Sequence, residues 1–516
     1  MAYHLLGFFA VFLPIVIVVY QLTPSRYRFI VLLAADYVFF MLISGKLVLY
    51  LVSTTLLTHY IGLWMERADL VEVCDKKAVM KTRRRILAFG VIVCLMILLV
   101  LKYTNFLGIT LSGILRKFGS GWYFKSMRFL VPVGLSFYTL QAISYMTDVY
   151  RRTIKAEPNL AKIALYMSFF PQIMEGPIAR FGETAEALYS GRGIEFDNLK
   201  FGYQRIVWGL FKKIVVADRI YPAVTNIFEN YASYDGSIAL FGAVCYTTQL
   251  YMEFSGSIDI VIGAGEIFGV KLPENFRQPF LAKNASDFWH RWHITLGTFF
   301  KDYIFYPVSL AKPVKNFAKK VKKVCGKNVS KFVAPTIALF CVWFCNGLWH
   351  GANWTFIFYG MYYFVLIFIE NILEEPVRKI TDRMHINRES FGYRALLFVK
   401  LVPIVVIGEL FFRADTLKDG FMMLGKIFTD FHISQLTHLI VKLGMDIYDI
   451  CVVVLGIVLV SVVGILKEKH IDIRKKIAGW NIVLRWTVWY AAVIIIVVLG
   501  AYGSGYAAVD LIYAGY

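Results

Sequence analysis

Charge is scarce in this sequence. Asp, Glu, Lys and Arg make up 17% of its 516 residues, against roughly 25% in soluble globular domains. Hydrophobic side chains make up 58% and the mean hydropathy is +0.60, which excludes an ordinary water-soluble domain. Negative charge is scarcer than positive, with 35 acids against 55 Lys and Arg and a net charge of +20. Such an excess would suit nucleic-acid binding, but no RNA- or DNA-binding motif accompanies it, and no nucleic-acid partner is expected. Cysteine is sparse too. The seven are scattered with no Cys-x-x-Cys pair, so a disulfide framework and a cysteine zinc site are both unsupported. A Gly-x-Ser-x-Gly nucleophile elbow is absent. So is an internal repeat, which argues against a transporter built from paired halves. The first apolar run has no Lys or Arg ahead of it and no small-residue cleavage site after it, so it reads as a retained helix and not a signal peptide.

What is present is apolar sequence in long runs. The clearest are 4–22, 29–43, 47–64, 86–101, 356–370, 395–412, 450–466 and 482–500, with less uniform ones at 161–174, 202–217, 238–252 and 333–345. Runs of this kind read as membrane helices. The expected fold is an all-α, polytopic membrane protein of about 11–13 helices, some of them short or re-entrant. One membrane-embedded domain is expected over 1–516, with N-terminal helices at 1–127, a core at 128–412, and C-terminal helices with an aromatic tail at 413–516. The core is where apolar sequence is broken, at Pro132, Pro171, Pro177, Pro273, Pro279 and Pro307. Broken helices survive in a bilayer only where protein or water satisfies the freed backbone groups, which implies an internal cavity. The basic residues cluster between runs: in 66–85, in 311–331 with eight lysines and no acid, in 378–394 and in 467–476. Placed in the cytoplasm by the positive-inside rule, these segments put both termini outside a cytoplasmic membrane, with 311–331 as a basic loop.

Two histidines stand out against this background. His293 lies in Phe288-Trp289-His290-Arg291-Trp292-His293-Ile294-Thr295-Leu296, and His350 in Asn346-Gly347-Leu348-Trp349-His350-Gly351. An ionisable side chain at membrane depth is costly and marks a functional site by default, and histidine is suited to moving a proton near neutral pH. The topology sends the chain in and back between 331 and 378, so His350 falls near the deep turn of a helical hairpin. Gly347 and Gly351 allow close backbone approach there, with Trp349 and Trp354 as walls. His293 sits nearer a polar boundary. Spacing of three also relates His290 to His293, but no third ligand completes a metal site, and no metal is expected. Glu253, Asp259, Asp287, Arg291 and Asp302 cannot all face lipid and are expected to pair or to line a hydrated surface. Gln172 and Glu175 follow a helix ended by Pro171 and read as a polar lining.

Taken together, these segments resemble the membrane-bound O-acyltransferase superfamily, in the bacterial branch that acylates extracytoplasmic polysaccharides. The matching stretches are 132–150, 168–180, 251–280, 288–307 and 347–360, and the most specific elements are Trp292-His293-Ile294-Thr295-Leu296 and Trp349-His350-Gly351 following Pro273-Glu274-Asn275-Phe276. The resemblance implies a ring-like helical fold around a central tunnel and an acyl transfer in which His350 is the general base and His293 the second polar position. Trp349, Asn346, Trp292, Asp259, Glu175 and Gln172 would line the tunnel, and Tyr513 in the aromatic tail would relay an acyl group outside. It implies no bound cofactor. The co-substrate would be an acyl thioester, as acyl-CoA or on an acyl-carrier protein, arriving from the cytoplasm, and the acyl group would be acetyl. The acceptor would be a polysaccharide hydroxyl or an extracytoplasmic acyl-acceptor protein of the SGNH-hydrolase kind. Membrane lipid would surround the chain. D-alanyl transfer to teichoic acid is the alternative within the family, and a transporter or flippase with a histidine proton relay the alternative outside it.

Overall fold

Backbone groups in apolar surroundings must be paired within the chain, which leaves helices as the simplest solution. The protein adopts it. The structure, a computed structural model, describes residues 7–70 and 75–502. Among these the elements are helical, and the only extended pairing is an isolated antiparallel bridge between Phe276 and Trp292. Seven helical stretches are long and apolar enough to cross a membrane: Ser25–Asp69, Lys76–Lys117, Lys312–His350, Trp354–Arg383, Phe391–Arg413, Ile447–Glu468 and Ile482–Leu499. Shorter helices fill the intervening sequence. The described chain divides into two compact units. One is built mainly of Met1–Ile206 and Ser257–Pro273, the other of Val207–Gly256 and Glu274–Val509.

Several apolar runs are longer or shorter than the sequence predicts, each for a local reason. The runs at 29–43 and 47–64 are joined through a single turn at Gly45–Leu47, where Gly45 takes a positive φ of 53°. The run at 161–174 yields a helix only over Leu160–Ser168. Beyond it the buried carboxylate of Asp36 accepts the Phe170 backbone N–H at 2.8 Å and the Ser168 hydroxyl at 3.2 Å. An acid in an apolar helix thereby captures the loop that carries Gln172 and Glu175.

The basic segment 311–331 is not a loop. It is helical and forms the first part of Lys312–His350, with a kink at Gly326, whose φ is 81°. Lysine is a good helix former, and Pro313 sits in the first turn, where proline costs no hydrogen bond. Charge content alone therefore misreads the segment.

In the second unit Lys312–His350 and Trp354–Arg383 form the expected hairpin, turning at 351–353. The two backbones touch. A Cβ on Gly360 would stand 2.3 Å from the Trp343 carbonyl oxygen, and one on Gly347 would stand 2.5 Å from the Phe356 carbonyl oxygen. Trp343 stacks on Tyr363 at 5.5 Å between ring centroids just below the contact. Asn353 caps the second helix by accepting the Thr355 N–H. Gly360→Val should force the helices apart. We expect it to cost about 1–3 kcal/mol, the usual penalty for overpacking, measured as a fall in the thermal unfolding midpoint in detergent. Wild-type stability in that variant would contradict the close approach.

Candidate active site

The second unit supplies both histidines. His293 precedes the helix Ile294–Phe300 with φ 50° and ψ 48°, the left-handed region, which costs a side-chain-bearing residue about 1–2 kcal/mol. Asn275 holds it there. The Asn275 carbonyl accepts the Ile294 N–H at 3.0 Å. Its side-chain Oδ1 accepts the Thr295 N–H at 3.0 Å and the Thr295 hydroxyl at 2.9 Å. The Arg277 N–H reaches the Arg291 carbonyl at 2.9 Å, next to the Phe276–Trp292 bridge. The extended segment Asn275-Phe276-Arg277 is thus a splint for the histidine turn. The imidazole is 1% exposed and meets Phe254 edge-on at 4.9 Å and Trp349 at 5.2 Å. Burial pushes it down to about 3, so the ring is neutral across the physiological range.

His350 closes the Lys312–His350 helix and is 3% exposed. Both rings are therefore buried within the protein. Around His350 stand Trp349 at 5.0 Å, Phe412 at 5.0 Å and Tyr359 at 5.8 Å, each edge-on. The Tyr359 hydroxyl donates to Glu409 at 2.9 Å, and that carboxylate is buried on the Phe391–Arg413 helix. Trp349 is a neighbour that both histidines share.

A cavity of about 50 Å³ opens against His293, lined by Trp289, Leu296, Gly297, Phe300, Val342, Trp343 and Asn346 besides the histidine itself. The Trp289 Nε1–H and the Asn346 Oδ1 are buried without a hydrogen-bond partner among the described residues. Such groups cost free energy unless something occupies the site and pairs with them. The arrangement can hold a small neutral group with an acceptor oxygen beside a neutral imidazole.

Not every residue singled out from the sequence is among those that line this cavity. Trp292 stacks on Phe288 at 5.4 Å and meets Phe276 edge-on, while the cavity wall carries Trp289. Trp354, expected as a second wall, is 48% exposed because it opens the next helix. Gln172, Glu175 and Asp259 belong to the first unit. There Gln172 donates to the Tyr166 carbonyl at 3.3 Å, Glu175 is buried, and Asp259 accepts from Arg205 at 3.0 Å. Tyr513 lies outside the described residues. The expected pairing of acids holds for several. Arg291 bridges Asp287 and Glu468, each at 3.0 Å, and the buried Lys213 joins Glu253 at 3.2 Å and Asp218 at 2.6 Å. Among the described residues no group of three or more His, Cys, Asp or Glu is placed to hold a metal.

Asn275, Trp289 and Tyr359 lie in stretches that the sequence singles out, but nothing local assigns them these roles, and Glu409 lies outside those stretches. Glu409 left a signal, a lone acid inside the run 395–412, which calls for the same reading as the histidines.

The family model for the membrane-bound O-acyltransferase family matches residues 32–399. The chain is 32% identical over 460 residues to the probable alginate O-acetylase AlgI of Azotobacter vinelandii, covering 89% of this chain and 84% of the relative. It is 29% identical over 370 residues to the peptidoglycan O-acetyltransferase of Helicobacter pylori, covering 66% and 64%. It is 28% identical over 258 residues to the teichoic acid D-alanyltransferase of Bacillus subtilis, covering 48% and 60%.

The splint is testable by itself. Asn275→Ala removes the acceptor that holds the Thr295 N–H and should cost about 1–2 kcal/mol, as loss of a helix cap does. Asn275→Asp keeps an acceptor oxygen and should retain most of the stability. Equal unfolding midpoints for wild type and Asn275→Ala in detergent would contradict this role.

Proposed function

Because the chain belongs to the membrane-bound O-acyltransferase family, it is a multi-pass membrane acyltransferase, and we propose that it moves an acetyl group from a thioester to a hydroxyl of an extracytoplasmic polysaccharide. One observation carries the reading. Two buried imidazoles share Trp349 as a neighbour, and one of them opens on a small cavity that offers an indole N–H and a carboxamide oxygen, each without a partner among the described residues.

In the proposed site His350 takes the proton of the acceptor hydroxyl, and the oxygen attacks the thioester carbonyl. Charge develops on the carbonyl oxygen, where the Trp289 Nε1–H is a fixed donor in a dry site. The tetrahedral adduct collapses and expels the thiolate, which takes the proton back from the His350 imidazolium. An ester forms, a thioester breaks, and no net proton is consumed. His293, neutral and rigid, orients the acyl group.

Size and charge favour acetyl over D-alanyl. The cavity of about 50 Å³ is near a third of the roughly 150 Å³ that accepts benzene, which suits two carbons. A D-alanyl group carries an ammonium, and no carboxylate lines the cavity. A buried cation without a partner is strongly disfavoured. The printed names of two relatives, an alginate O-acetylase and a peptidoglycan O-acetyltransferase, support a polysaccharide acceptor. In this reading the chain sits in the cytoplasmic membrane with both termini outside. The donor comes from the cytoplasm as acetyl-CoA or an acetylated carrier protein. The acceptor is reached directly or through the serine of an extracytoplasmic SGNH-hydrolase-like partner.

His350→Ala, expressed in cells lacking the native gene, should lower ester-linked acetate on the surface polysaccharides by about a hundredfold or more, the usual contribution of a general base. Mass spectrometry of the isolated polymers reads the outcome. Acetylation at the wild-type level would overturn the role of His350. Loss of D-alanyl esters with acetyl esters intact would overturn the choice of acyl group.

A further inference from the structure

The basic helix is amphipathic in a way that its charge count conceals. At about 100° per residue, Lys312, Lys315, Lys319, Lys320, Lys322 and Lys323 fall on one half of the circumference, and Val314, Phe317, Val321 and Val324 fall on the other. The six lysines make no ion pair among the described residues. The apolar half is also open, with Phe317 52% and Val324 85% exposed. The segment does not simply prolong the span that follows. At Gly326 the backbone leaves helical geometry, with φ 81° and ψ 176°. The Ser330 hydroxyl then reaches back to the Ala318 carbonyl at 3.0 Å, twelve residues earlier. Residues 312–325 are therefore a separate helix folded against the entrance of the spanning one.

We propose that 312–325 lies in the plane of the membrane interface and binds the headgroups of anionic phospholipids. A helix with lysines on one face and Phe and Val on the other is suited to that position, its apolar face in the acyl boundary and its lysine heads among the phosphates. A soluble acidic protein would be held by the lysine face alone and would leave Phe317 and Val324 in water, so the bilayer satisfies both faces where such a partner satisfies one. The left-handed glycine supplies the turn between the in-plane helix and the span.

Hydrogen exchange on the full-length protein in nanodiscs tests this, comparing phosphatidylcholine alone with a phosphatidylcholine–phosphatidylglycerol mixture. Each lysine at an anionic surface contributes about fivefold, so exchange across 312–325 should slow by about tenfold or more with phosphatidylglycerol, and salt should reverse it. The variant K315Q/K319Q/K322Q/K323Q should lose that dependence while exchange in Trp354–Arg383 stays unchanged. F317S/V324S should exchange faster in both lipids. No slowing of the wild-type protein by phosphatidylglycerol would overturn the proposal. So would protection that appears only on adding an acidic carrier protein, whatever the lipid.

Discussion

Asn275 fastens an extended piece of chain to the start of the Ile294–Phe300 helix and so fixes His293 in left-handed backbone. Much of the proposed chemistry depends on that fastening. A neutral imidazole enclosed by rings has little electrostatic field to orient it, and backbone strain of about 1–2 kcal/mol persists only where neighbours over-determine the geometry. Phe254 and Trp349 close on the ring from two elements, and Trp349 passes the constraint to His350. The hairpin that ends at His350 rests in turn on the glycine contacts of Gly347 and Gly360.

Much of this is legible in the sequence. Hydropathy reveals the membrane class and the spans, because apolar length is a direct physical requirement of the bilayer. Isolated histidines in apolar sequence mark the candidate site, because a buried charge is costly. The hairpin follows from the basic segments on either side of it. What stays hidden depends on contacts between distant segments. Nothing local says that the Asn275 amide meets Thr295, that Tyr359 donates to Glu409, or that Lys213 joins Glu253 and Asp218. The 311–331 segment misleads for another reason. Eight lysines look like a solvated loop, but six of them share one face of a helix whose other face is apolar.

The charges of the second unit serve two ends. Lys213 is buried with its two acids, and the half-buried Arg291 is matched to Asp287 and Glu468, all within hydrogen-bond distance. That matching is what burial demands, since an unpaired ion out of water costs far more than a paired one. Outside, the lysines of 312–325 have no acidic match among the described residues and lie on one face. The contrast separates architecture from recognition: paired charge holds helices together, and one-sided charge on an amphipathic helix faces an anionic partner.

In the proposed reaction the cavity beside His293 receives the acyl carbonyl within reach of both imidazoles. A structure of the full-length protein with a non-hydrolysable acetyl-thioester analogue tests it most directly. The acetyl group is expected among Trp289, His293 and Asn346, with its carbonyl oxygen toward the Trp289 Nε1–H and its reacting carbon on the side of His350. An acetyl group bound away from both histidines, with the cavity unchanged, would contradict it.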